Sequence, residues 1–62
     1  MSDSLPTERR REVFAALVAA QDAGLSVAVS RRQVAAEHGL TAKQVEKIET
    51  EGLKAEWPPL GE

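Results

Sequence analysis

Within a short span, Thr41, Lys43, Gln44 and Lys47 bring together a hydroxyl, two ammonium groups and a carboxamide. This set can hydrogen-bond and attract anions, but it contains no nucleophile beside a base. Glutamine donates and accepts in one plane, matching the edge of an adenine, and lysine can donate to guanine or to a phosphate oxygen. Arg31 and Arg32 precede them, and guanidinium groups at a helix start can hold phosphates together with the free backbone N–H groups there. The bland role for the two arginines is solubility, with ion pairing to Glu37. Catalysis is not expected, because the acids are scattered over helical faces and no glycine-rich phosphate loop is present. The chain has no cysteine and a single histidine, His38, so neither a metal site nor a cofactor is expected. His38 reads as a part-buried side chain at a helix end, where the dipole favours its charged form, ahead of any role in touching phosphate.

The elements that must position these side chains follow from caps and apolar spacing. Ser30-Arg31-Arg32-Gln33 fits a capping box, with Ser30 as cap, and predicts a short helix from Arg31 to Glu37. Gly39 ends it, and Thr41-Ala42-Lys43-Gln44 forms a second capping box almost at once. Two helix starts split by one glycine leave room only for a tight turn, which is the sequence form of a helix-turn-helix between Ser30 and Glu56. Val34 and Ala35 supply the buried side of its first helix. Leu40, Val45 and Ile48 supply the inward side of its second, residues 42–56. Val45, Ile48, Gly52 and Leu53 are expected on one continuous face, with Gly52 marking either a close helix contact or an early end. An ordinary helical hairpin in another bundle would use the same caps; the apolar register around Gly39 favours the helix-turn-helix.

Ahead of this unit, Leu5-Pro6-Thr7-Glu8 reads as a helix start, with Pro6 in the first turn or Thr7 as cap. Val13, Phe14, Leu17 and Val18 form a buried stripe, and Gly24 closes the helix after Ala23. Leu25 to Val29 alternates and is expected to be an extended connection whose valines cover the core. Pro58-Pro59 stop the last helix. The predicted fold is therefore all-α: a small bundle of three main helices containing a helix-turn-helix, the third being the recognition helix. Residues 1–6 and 58–62 are expected as tails around a domain at 7–57. Sixty-two residues lie near the lower limit of what folds without disulfides or metals. No signal peptide or membrane-length apolar run is readable, so a cytoplasmic location is expected.

Charge tests the nucleic-acid expectation hardest. The net charge is −2, whereas a free-standing nucleic-acid binder is usually basic. Between Ala42 and Glu56 stand three lysines and four glutamates, and Glu46 opposes binding. Position offsets this in part, because the N-terminal turns of a recognition helix reach furthest into the groove. Phe14 and Trp57 are the only aromatics, too few for a single-strand stacking surface. Double-stranded DNA is thus the expected partner, bound weakly and with steep salt dependence, so that useful specificity needs a dimer, a larger complex or a second protein. Arg9 to Arg11 are expected as a solvated face paired with their own glutamates. The rival expectation is a protein-interaction module built on the same scaffold, with Trp57 at the interface centre. For that side chain, in a chain this short of aromatics, a lid closing the core is favoured over the interface role.

The residues Leu5-Pro6-Thr7-Glu8-Arg9-Arg10-Arg11-Glu12-Val13-Phe14 resemble the opening of region 4 of bacterial sigma factors. Val34 to Leu53, VAAEHGLTAKQVEKIETEGL, resembles the helix-turn-helix of that region in the order of Gly39-Leu40-Thr41, Val45, Ile48-Glu49 and Leu53. The helix-turn-helix of response regulators fits less well between Gln44 and Leu53. The resemblance implies transcriptional control in bacteria or phage, with the last helix in the major groove of a promoter and RNA polymerase as a further partner. It also implies departures: Ala42, Gln44, Glu46 and Lys47 stand where that family carries base-reading arginines and a glutamine. The family's target sequence does not carry over. The resemblance does not extend to that family's region 2, so these residues alone do not act as a complete sigma factor.

Overall fold

The computed structural model describes residues 5–58. Three helices, α1 (Thr7–Asp22), α2 (Val27–His38) and α3 (Ala42–Ala55), follow one another. Each packs against the other two, with no strand among the described residues. The core takes Val13, Phe14 and Leu17 from α1, Val34 and Ala35 from α2, and Val45 and Ile48 from α3, with Trp57 just beyond. These are the helical-period positions of each segment, and each large apolar side chain removed from water contributes about 1.5–3 kcal/mol. The parts of the expected tails at 1–4 and 59–62 lie outside the described residues. Leu5, assigned to the N-terminal tail, packs half-buried against the core.

The three helices stop in the same way. Leu25 N–H donates to the Ala20 carbonyl, Leu40 N–H to that of Ala35, and Trp57 N–H to that of Gly52. In each case the residue before the donor has positive φ: Gly24 at 107°, Gly39 at 68° and Glu56 at 55°. A left-handed residue followed by an apolar one that folds back over the last turn satisfies carbonyls that the helix leaves unpaired. Glycine takes that conformation without strain. Glu56 does so against a cost of about 1–2 kcal/mol, and the burial of Trp57 that follows holds it there.

The start of α2 differs from expectation. Ser26, not Ser30, is the N-cap, its Oγ accepting from Val29 N–H at 3.2 Å. The segment read as an extended connection runs into the first turn of α2, and Val27 and Val29 are exposed instead of covering the core. Ser26 and Ser30 are equally able to cap, and tertiary packing decides between them. Starting at Val27 turns Ser30 inward to full burial, where its Oγ donates to the Val27 carbonyl at 2.8 Å and accepts from Gln21 Nε2 at 3.2 Å. A buried hydroxyl without such partners would cost about 1–3 kcal/mol. That outweighs the few tenths by which valine lowers helix propensity.

Leu53 also departs from the expected face, with 54% of its surface exposed. Relative to Val45, Ile48 and Gly52 lie back by about 60° and 20°, whereas Leu53 lies forward by about 80°. The core sits on the backward side, and Trp57 fills the place after Gly52.

Candidate nucleic-acid interface

The turn between α2 and α3 is built from local bonds. Thr41 caps α3: its Oγ1 accepts from Gln44 N–H at 3.1 Å, and Gln44 Oε1 accepts from Thr41 N–H at 2.8 Å. Leu40 packs half-buried against the core. The first turns of α3 are thereby fixed relative to α2, with Thr41, Lys43 and Lys47 exposed along them and Arg32 exposed on α2. No ion pair among the described residues involves Lys43, Lys47 or Arg32.

Gln44 and Arg31 occupy different situations from these. A bidentate pairing of Gln44 with adenine needs both ends of its amide, and the oxygen is engaged in the cap. The Nε2 group remains to donate. Arg31 lies across α2 and α3: its Nε donates to Glu49 Oε1 at 2.9 Å, Nη2 lies 2.8 Å from the same oxygen in an ion pair, and Nη1 stands 4.0 Å from Glu46 Oε2. It pairs with these two and not with Glu37. The pair is partly withdrawn from solvent, the Glu49 side chain being 15% exposed and that of Arg31 30%.

A second cross-helix pair joins α1 to α3. Arg10 donates from Nε and Nη2 to the two carboxylate oxygens of Glu51, at 2.9 and 3.1 Å, and from Nη1 to the Leu5 carbonyl. Of the three arginines in α1, only Arg9 pairs with a glutamate of its own helix, Glu12, at 3.7 Å. Arg11 instead lies over the Trp57 ring, 5.8 Å from its centroid, an interaction worth about 0.5–1 kcal/mol at such a site.

These pairs change the charge balance that composition suggests. Two of the four glutamates between 42 and 56 are turned toward α2 and α1 and met by arginines. The exposed N-terminal half of α3 is left with Lys43 and Lys47 against Glu46. An anion approaching the start of α3 meets two lysines against one exposed carboxylate, on a chain of negative net charge. At long range the net charge still opposes it, over about 10 Å at moderate salt.

Trp57 does not belong to the surface. Only 7% of it is exposed, and its ring meets Phe14 edge-on, with centroids 6.1 Å apart and planes at 79°. Of the two roles expected for it, the burial fits the favoured one, a lid on the core, and not an interface centre. His38, the last residue of α2, is half-buried at the helix end. Among the described residues no cluster of His, Asp and Glu is arranged to hold a metal, and no helix is long and apolar enough to cross a membrane. No known family model, curated protein or solved structure matches the chain.

Proposed function

We propose that α2, the Gly39–Thr41 turn and α3 form a helix-turn-helix that binds double-stranded DNA in transcriptional control, with the start of α3 entering the major groove. The observation that carries this reading is the exposed row Thr41, Lys43 and Lys47 on the first turns of α3. It is held rigidly by the Thr41–Gln44 cap and lies free of internal ion pairs among the described residues. Lys43 and Lys47 serve as point charges for phosphate or as donors to guanine. Arg32 adds a phosphate contact from the neighbouring helix, and Gln44 Nε2 donates while its oxygen keeps the cap. The resemblance of Val34–Leu53 to sigma factor region 4 supports the same reading and adds RNA polymerase as a partner to be tested. The rival reading, a module that binds another transcription protein, loses its strongest anchor with the burial of Trp57.

Neutralising the lysines tests the proposal. Lys43→Gln with Lys47→Gln should weaken binding to any duplex, and the slope of log affinity against log salt should become shallower by about 0.9 for each phosphate that is no longer neutralised. Fluorescence anisotropy with a labelled mixed-sequence duplex across a salt series reads both quantities. An unchanged slope would assign the row to something other than phosphate.

A further inference from the structure

Arg31 is a second guanidinium on α2 beside Arg32, and unlike Arg32 it is engaged by carboxylates of α3. Nε donates to one oxygen of Glu49 and Nη2 lies 2.8 Å from it, while Nη1 is 4.0 Å from the more exposed carboxylate of Glu46. One cation among two anions makes this spot negative, beside the face that carries Lys43 and Lys47. Glu46 is exposed on that face, about one helical turn after Lys43, so the guanidinium it approaches lies within a rotamer change of the same surface.

We propose that Glu49, assisted by Glu46, is a positioning residue that holds Arg31 as an internal competitor of DNA phosphate, and that releasing Arg31 strengthens binding. The proposal rests on the DNA reading above. A phosphate must displace a carboxylate from the same fork of N–H donors, and both ligands have the geometry for it. The wild-type domain therefore binds without Arg31, and its weak affinity is a property of this clasp as well as of its net charge.

The test is a double-mutant cycle on the full chain, read by duplex-DNA anisotropy over a salt series. Glu49→Gln should raise affinity at low salt on the order of fivefold and steepen the salt slope by about 0.9, the effect of one further phosphate neutralised. Arg31→Gln alone should leave the salt slope unchanged and lower affinity only through the carboxylate charge it uncovers. In the Arg31→Gln background the gain from Glu49→Gln should disappear, which separates a released arginine from the mere removal of a negative charge. Far-UV circular dichroism checks that each variant is folded. Should Glu49→Gln fail to fold, Glu49→Asp replaces it: the shorter carboxylate loosens its hold on Arg31 at unchanged net charge, and the same dependence on Arg31 is expected at smaller amplitude. Equal gains in both backgrounds, or no gain, while the wild-type protein binds, would overturn the clasp and leave the DNA reading standing. No binding by wild type or any variant would overturn both.

Discussion

Trp57→Ala should leave the domain largely unfolded at room temperature. Removing a buried tryptophan costs about 3–5 kcal/mol, and a single core in a chain this short rarely supplies more than about 3–5 kcal/mol in all. Three interactions go together: the edge-on packing with Phe14, the Arg11 cation above the ring, and the backbone bond from Trp57 N–H to the Gly52 carbonyl that depends on the residue folding back. Glu56 then has nothing to hold it at positive φ. Thermal melting followed by far-UV circular dichroism checks this. A melting temperature within a degree or two of wild type would mean that Trp57 contributes no packing and would reinstate it as a surface anchor.

Gly52→Ala is the second large effect, and its sign is the informative part. At an open helical site this substitution stabilises by about 0.8–1.0 kcal/mol. At Gly52 an added Cβ would lie 2.3 Å from Phe14 Cδ1, 2.5 Å from Cε1 and 2.6 Å from Cγ. Cγ is the root of the ring, so a turn about its own axis does not clear the clash. Phe14 is fully buried in the core, with its ring packed edge-on against Trp57, so it has no free space to swing into. Overpacking of this kind costs typically about 1–3 kcal/mol, which exceeds the propensity gain. A net destabilisation of up to about 2 kcal/mol is expected, read as a lower urea midpoint. A raised midpoint would show that the α1–α3 packing is loose enough to admit a methyl group.

Much of this arrangement is legible in the sequence wherever the signal is local. The Thr41–Gln44 capping box, the Gly39 turn, the span of α3 and the Val13-Phe14-Leu17 stripe all depend on residues within a turn or two of each other. Gly52 could be read as a close contact or as an end, and only the Phe14 ring decides it. The start of α2 was not legible, because Ser26 and Ser30 are both good caps and the choice lies with Gln21 on another helix. Alternation misled between Leu25 and Val29, since one short strand had no partner and the hydrogen bonds of a helical turn were the available alternative.

The charge pattern was the least legible feature. Arg31 meets Glu49 across 18 positions and Arg10 meets Glu51 across 41, and no local spacing announces either. A sequence count weighs all four glutamates between 42 and 56 alike, whereas the fold pairs Glu49 and Glu51 with arginines of other helices and leaves Lys43 and Lys47 exposed. The same pairing takes Arg31 out of the set of ready phosphate contacts, and the Thr41–Gln44 cap takes one end of Gln44. The proposed interface is therefore narrower than the residue types suggest: Thr41, Lys43 and Lys47, with Arg32 and the Nε2 of Gln44 beside them.

The central claim is that the start of α3 meets duplex DNA, and a residue-resolved titration tests it most directly. Isotope-labelled protein would be titrated with a mixed-sequence duplex at low salt and followed through its amide signals. Shifts that grow with DNA at Thr41–Lys47 and around Arg32, and that fade as salt is raised, are the predicted result. No shifts, or shifts confined to the outward side of α1 at Glu8, Glu12, Ala15 and Ala19, would contradict it.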